Sequence, residues 1–332
     1  MKVFGPQDSI DPALRGAVVA IGNFDGLHRG HQELLSIARN LAKTRNLPFG
    51  ILTFEPHPRT YFKPQEPVFR LTPPALKVRL AKHLGPDFFC ALDFDAELAG
   101  TEPEDFVTRH LVQNLGVAHV VTGYDFHFGK GRRGNPDILQ SMGAKNNFGV
   151  TVVKQVTDDS GNAPFSSSSI RSALRRGHVK AAANELGYDW TVMGEVVHGD
   201  KRGRTIGFPT ANIILDPGAE PFRGIYAVDV RDAAAAPESK AWMGAAYFGD
   251  RPTFNTNRTF LEVYLLDQDI DLYGRVLMVS FVDVVRGDRT FKGVDDLVVQ
   301  MKLDCEEVRR VLNGRQALSS THLALLQLAG QL

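Results

Sequence analysis

The sequence predicts an α/β protein: a parallel, doubly wound sheet in the first half, then a small antiparallel β-barrel with a C-terminal helix. Two observations carry this. In the first half, continuous apolar runs alternate with stretches of helical period, the pattern of strands covered on both faces by helices. After Gly187 strands become frequent and alternate polar with apolar residues. Turn signals such as Asp216-Pro217-Gly218 separate them, as in a small barrel.

Strands of the parallel sheet are expected at Ala17–Ile21, Phe49–Phe54, Phe88–Leu92, Val117–Thr122 and Val150–Val156. Between them, a helix over about His31–Arg45 places Leu34, Leu35, Ala38, Leu41 and Ala42 on one face. Another starts at a capping box, Thr101 with Glu104, has Pro103 in its first turn and stops before Gly116. A third takes Asn135 as its cap and Pro136 as its first residue. The barrel strands are Val192–Val197, Ile225–Val230, Trp242–Phe248, Thr259–Leu265 and Arg275–Val285, with a loop over Ala233–Pro237. A helix from about Val294 to Leu312 closes the barrel, and a short apolar tail helix follows. The domain boundary is expected near residues 184–190, giving domains 1–186 and 187–332.

Lys plus Arg and Asp plus Glu both number 38, so the chain lacks the basic surplus of a nucleic-acid binder. No apolar run is long enough to span a bilayer, and the first residues lack the apolar core of a signal peptide. Neither nucleic acid nor membrane is therefore expected as a partner. Cys90 reads as a buried small hydrophobe and Cys305 lies on the C-terminal helix; two cysteines make no disulfide framework and fit a reducing cytoplasm.

The strongest signal is Gly22-Asn23-Phe24-Asp25-Gly26-Leu27-His28-Arg29-Gly30-His31, between an apolar strand and an amphipathic helix. Strand, glycine-punctuated turn and helix N-terminus hold a phosphate. His28 and His31 fall on one side of the first turn, where they can donate to phosphate oxygens. Gly30 lets the backbone approach, and Asn23 on the preceding turn can donate a further hydrogen bond. In nucleotidyl transfer the α-phosphate is attacked in line and charge grows on its oxygens, so the work is electrostatic stabilisation and positioning. A pair of surface histidines at a helix start, or a metal site, are the alternatives; the latter lacks the His-Glu-x-x-His spacing.

This block resembles the His-x-Gly-His signature of the nucleotidyltransferase superfamily. Phe165-Ser166-Ser167-Ser168-Ser169-Ile170-Arg171 is similar to its Ile-Ser-Ser-Thr-x-Ile-Arg motif. A serine run caps a helix and aims N–H groups at an anion, and Arg171 can hold phosphate oxygens; an ordinary N-cap is the plainer alternative. Gly123-Tyr124-Asp125-Phe126-His127-Phe128-Gly129 resembles the Gly-x-Asp-Phe-Arg-Phe-Gly segment of bacterial FAD synthetases, with His127 in place of the arginine. Thr53-Phe54-Glu55-Pro56-His57-Pro58 matches another segment of those enzymes. By resemblance, Gly22, Asn23, Asp25, Gly30 and Ser168 bind nucleotide, while Pro56, His57, Asp125, Phe126 and Phe128 bind flavin. Gly129–Gly134 also spells Gly-x-Gly-x-x-Gly, but well past the strand and with Lys130, Arg132 and Arg133, so it reads as an exposed loop.

The second half opens with a glycine- and charge-rich loop, His198-Gly199-Asp200-Lys201-Arg202-Gly203-Arg204, a mobile phosphate-friendly flap. Thr210 and Asn212 follow, two apart on a strand and so on one face, and oxygen ligands suit Mg²⁺. Gly203–Asn212 resembles the Gly-Arg-x-x-Gly-Phe-Pro-Thr-Ala-Asn motif of riboflavin kinases. The likeness continues through Gly249-Asp250-Arg251-Pro252-Thr253-Phe254, Leu261-Glu262-Val263-Tyr264 and Leu272-Tyr273-Gly274, while Tyr247-Phe248 departs from the commoner Asn-Ile. It implies Gly199, Arg204 and Gly207 at phosphate, Thr210 and Asn212 at Mg²⁺, and Glu262 as the base that accepts a proton from a primary hydroxyl. Taken alone, Glu262 reads first as an exposed strand residue. Asp304 and Arg309, with Gln300, fall on a helix similar to the kinases' flavin-side helix.

Most of the chain is thus similar to the bacterial bifunctional riboflavin kinase/FAD synthetases. The resemblance implies a Rossmann-like nucleotidyltransferase domain and a barrel kinase domain. The second would transfer the γ-phosphate of ATP to riboflavin, giving FMN and ADP. The first would transfer AMP from ATP to FMN, giving FAD and pyrophosphate, with Mg²⁺ serving both. His28, His31, Arg171 and Glu262 carry the chemistry. Alternatives are another adenylyltransferase with a flavin-binding appendage and a flavin-binding regulator without catalysis.

Overall fold

A computed structural model describes residues 1–5, 8–157, 163–199, 202–235, 239–249 and 259–315. The chain forms two compact units, which are treated separately. One holds Met1–Val68 and Leu80–Phe165; the other holds Phe69–Arg79 and the chain from Ser166 onward.

The first unit is built on a parallel sheet of six strands: β1 (Lys2–Phe4), β2 (Val18–Ile21), β3 (Phe49–Glu55), β4 (Phe88–Asp93), β5 (His119–Gly123) and β6 (Gly149–Val153). Their spatial order is β1-β4-β3-β2-β5-β6. All four β2 residues are buried, as a central strand covered on both faces requires. The chain runs outward from β2 through β3 to β4, then returns to the other side of β2 as β5. The crevice beyond the carboxyl ends of β2 and β5 is therefore the topological switch point where such sheets bind ligands.

The five expected strands are present, shifted by a few residues; β6 ends at Val153 rather than Val156. β1, only three residues long, pairs Lys2 with Phe88 and extends the sheet at its edge. The expected capping box is absent. Thr101 instead closes the preceding helix, Ala96–Gly100, its hydroxyl donating to the Glu97 carbonyl at 2.7 Å. The next helix, Pro103–Phe106, takes Glu102 as an N-cap with no side-chain hydrogen bond. Thr101 therefore lies one residue before the N-cap and serves as the C-cap of the preceding helix. The chain then continues as a π-helix, Val107–Leu115, ended by Gly116 in the left-handed region, whose N–H donates to the Leu111 carbonyl.

The second unit is a closed barrel of β7 (Thr191–Val197), β8 (Thr210–Ile214), β9 (Gly224–Asp232), β10 (Trp242–Phe248), β11 (Phe260–Leu265) and β12 (Val276–Gly287), in the order β10-β11-β8-β7-β12-β9. On β11 Leu261, Val263 and Leu265 are buried inside, leaving Glu262 and Tyr264 on the opposite face. A long helix, Val294–Asn313, packs on that face with Phe208, Tyr264, Met301, Cys305 and Val308 in one apolar cluster.

Two helices, Ser167–Arg175 and Val179–Leu186, also belong to this unit, where the sequence placed the boundary after them. Their attachment has clear causes. Lys180 pairs with Asp283 on β12 at 2.5 Å, and Arg171 donates through Nε to the Phe69 carbonyl at 2.6 Å. The segment Phe69–Arg79, drawn from the first half of the sequence, is held here by Trp190, 1% exposed, whose indole N–H donates to the Leu71 carbonyl at 3.1 Å. The expected apolar tail helix, and residues 236–237 of the expected loop, lie outside the described residues.

Candidate functional site

In the first unit the turn after β2 carries the histidine block. Phe24 and Leu27 adopt positive φ, 48° and 40°, in the region that ordinary side chains avoid. Both are nonetheless buried, so packing holds the strained turn in place. His28 becomes the N-cap of the helix Arg29–Arg45, which starts two residues before the expected His31. The rings of His28 and His31 stack with centroids 3.7 Å apart and planes 22° apart, and Phe24 meets His31 edge-on. Gly30 allows this: a Cβ there would lie 3.2 Å from the His28 ring, tighter than most real contacts. Two imidazoles at the N-terminus of a seventeen-residue helix, the positive end of its dipole, suit an anion.

The remaining expected residues of this unit fall at the carboxyl edge of the same sheet. Gly22, Asn23 and Asp25 lie in the β2 turn; Asp25 is 3% exposed, and the Asn23 carbonyl accepts from the Thr53 hydroxyl at 3.1 Å. Pro56 and His57 follow β3, where His57 Nδ1 caps a short helix by accepting from the Arg59 N–H. Asp125, Phe126 and Phe128 follow β5, the two phenyl rings stacked at 5.5 Å. His127 donates through Nδ1 to the Asp125 carbonyl at 2.9 Å, since a carbonyl only accepts. Lys130–Arg133 are exposed, as their charges imply, but on a short 3-10 turn, and the flanking glycines are not: Gly129 is half-buried and Gly134, bridged to Phe128, is buried. Ser168 and Arg171 lie in the second unit, on the helix capped by Ser166 through Ser169 N–H.

In the second unit β8 and β11 bring three expected residues together. Glu262 pairs across the strands with Asn212, and Tyr264 with Thr210. The Thr210 hydroxyl lies 3.4 Å from Glu262 Oε2. Gly199 lies against Asn212; a Cβ there would come within 2.3 Å of its Nδ2. Hydroxyl, amide and carboxylate oxygens side by side, with a glycine leaving room beside the amide, fit Mg²⁺. No cluster of three His, Cys, Asp or Glu occurs among the described residues, so a metal there would rely on such oxygens and on bound phosphate.

Two cavities meet on this face. The larger, about 740 Å³, is lined by Arg204, Gly207, Thr210, Tyr264, Asp271 and Tyr273, among others. The smaller, about 370 Å³, is mostly apolar, with Ile206, Phe208, Tyr264, Leu297, Met301 and Cys305 in its walls and Thr210 and Glu262 at its polar side. Thr210 and Tyr264 belong to both. Burial pushes up the Cys305 thiol and the Tyr264 phenol, so both stay protonated and neutral there.

Asp304 lines the smaller cavity but is 4% exposed, its carboxylate gripped by Arg286 at 2.8 Å and by the Gln300 amide at 2.9 Å. Arg309 pairs with Asp267 and lines neither cavity. Asp200, Lys201 and Asp250–Phe254 lie outside the described residues. Sequence reasoning missed Arg286, near the end of β12, and Asp288, Arg289 and Phe291 just after it, which wall the smaller cavity. Their clustered charge after a long strand was the available signal.

Comparison with known proteins matches both halves. A family model described as FAD synthetase covers residues 10–169, and one described as riboflavin kinase covers 186–312. The bifunctional riboflavin kinase/FMN adenylyltransferase of Escherichia coli K12 is 38% identical over 289 residues, 87% of this chain and 90% of the relative. That of Haemophilus influenzae is 37% identical over 314 residues, 95% of this chain and 100% of the relative. A solved Streptococcus pneumoniae structure, described as a macrolide-efflux protein, superposes with a TM-score of 0.78 at 32% identity, covering 93% of this chain and 99% of that one. Efflux is said of that protein; no helix among the described residues here is long and apolar enough to cross a membrane. With both family models in the order of the two halves and nearly the full length matched, the chain belongs to the bifunctional riboflavin kinase/FMN adenylyltransferase family.

Proposed function

We propose that the chain makes FMN and then FAD at two separate sites, and that the residues above divide the work. The observation that carries this is the junction of the two cavities at Thr210 and Tyr264, beside Glu262. ATP occupies the larger cavity and riboflavin the smaller, its flat ring system against the apolar wall. Glu262 accepts the proton of the 5′-hydroxyl as that oxygen attacks the γ-phosphorus. The new O–P bond forms as the bond to the β-phosphate oxygen breaks, and ADP leaves. Arg204 and Gly207 hold the nucleotide's phosphates. Thr210 and Asn212 hold Mg²⁺, which when bound neutralises phosphate charge. Asp304 acts by fixing Arg286 at the flavin cavity, and Arg309 remains an unsupported flavin contact.

In the first unit a phosphate oxygen of FMN attacks the α-phosphorus of ATP and pyrophosphate leaves. His28 and His31 donate to the oxygens on which charge grows, together with Asn23 and the N–H groups of the helix start. Phe126, Phe128, Pro56 and His57 receive the flavin, and Gly22, Asp25 and Gly30 shape the nucleotide turn. Ser168 and Arg171, on the helix Ser167–Arg175 of the second unit, keep a phosphate-binding role from the likeness of their motif alone. A cytoplasmic location, expected from the two cysteines, belongs to the same proposal.

Incubation with riboflavin, ATP and Mg²⁺ tests this directly. FMN and then FAD should appear with ADP and pyrophosphate. Unchanged riboflavin would favour a flavin-binding regulator; FAD from supplied FMN without ADP would favour an adenylyltransferase with a flavin-binding appendage.

A further inference from the structure

Tyr247 stands in a place that the reaction has not yet used. The register of β10 on β11 sets Tyr247 directly opposite Glu262, and that of β11 on β8 sets Glu262 opposite Asn212. Residues so paired share a face, with Cβ atoms about 4.5–5.5 Å apart. Asn212, Glu262 and Tyr247 therefore form one row across three strands. Tyr247 and Glu262 line the smaller cavity, whereas Asn212 lines neither.

The phenol is held at both sides. Its hydroxyl donates to Asp288 Oδ1 at 3.3 Å, and that oxygen is itself fixed by the Arg289 N–H at 2.8 Å. Gly249 leaves the space the hydroxyl occupies: a Cβ there would lie 2.1 Å from Tyr247 Oη. A phenolic oxygen accepts as well as donates, so giving its proton to Asp288 does not prevent it from taking a hydrogen bond from a donor in the cavity.

Riboflavin is a flat ring system joined to a chain of hydroxyls, the last of which is the 5′-hydroxyl. With that hydroxyl at Glu262, the rest of the chain leads back into the smaller cavity past the neighbouring position in the row. That position is Tyr247. We propose that Tyr247 is a positioning residue of the kinase reaction, accepting a hydrogen bond from a ribityl hydroxyl and so aligning the 5′-hydroxyl with Glu262. This rests on Glu262 being the base and the smaller cavity being the flavin site.

The test uses the full chain with saturating ATP and Mg²⁺. Riboflavin KM and kcat are measured for the parent, Tyr247→Phe and Gly249→Ala. The first variant removes the hydroxyl and the second displaces it. Lumiflavin, which keeps the ring system and lacks the ribityl chain, is measured as a competitive inhibitor of each. Loss of one hydrogen bond should raise KM on the order of tenfold in both variants, with kcat within about twofold. Lumiflavin inhibition should not change. An unchanged KM overturns the proposal, and so does a lumiflavin inhibition constant that rises in step with KM, because the hydroxyl would then serve the ring or the cavity wall. Glu262→Gln is measured alongside: if it keeps its kcat, the assignment of the base fails, whatever Tyr247 does.

Discussion

His28 and His31 can stack at 3.7 Å because Gly30, one of the two residues between them, has no side chain to push the first ring away. Gly30→Ala should therefore lower the rate of FAD formation from FMN at least about tenfold, since small misplacements of charge-stabilising groups are costly, and leave riboflavin phosphorylation unchanged. Gly199→Ala should do the opposite, because its Cβ would strike the Asn212 amide. Assaying each half-reaction separately checks both; equal loss of the two activities in either variant would contradict the assignment. At this scale the sequence was informative where the chemistry is contiguous. The histidine block and the Pro-Thr-Ala-Asn run announce themselves within a dozen residues. The row Asn212, Glu262 and Tyr247 was not legible as a row, because it depends on strand register, which no local pattern states.

Among the elements, β5 begins with a buried histidine. His119 lies 2.8 Å from the Thr151 hydroxyl and 3.3 Å from Arg45, and burial first, then the Arg45 charge, holds its imidazole below the ordinary range. The unfolded imidazole titrates near its usual value of 6.5. Below that pH the unfolded chain binds the extra proton and the folded one resists it, so stability falls as pH drops through that value. Thermal melts between about pH 8 and pH 5 should show this decline, and His119→Gln should flatten it. A variant with the same pH slope would show that other groups set the acid limb. Strands with continuous apolar runs were readable from sequence because burial on both faces leaves no alternative. β1 was not, being three residues long and partly polar. The capping box at Thr101 misled because the same hydroxyl can turn back to the preceding helix, which it does.

Across the whole molecule, sequence order and packing part company at one segment. Phe69–Arg79 comes from the first half of the sequence and packs with the barrel, tied by Trp190 and Arg171. Composition changes near residue 187, yet the packing division falls at Phe165, since a change of texture marks where strands begin and not which helices rest on them. Trp190→Phe would leave the Leu71 carbonyl without its indole donor. It should cost about 1–3 kcal/mol, read as a lower thermal midpoint of the full chain; an unchanged midpoint would show that the segment is not held this way. The central claim is that one chain carries two independent reaction sites, and chromatography of flavin products tests it most directly. His28→Ala with His31→Ala should convert riboflavin to FMN and stop there. Glu262→Gln should leave riboflavin unconverted yet make FAD from supplied FMN. Folded variants that each lose both reactions would contradict the claim.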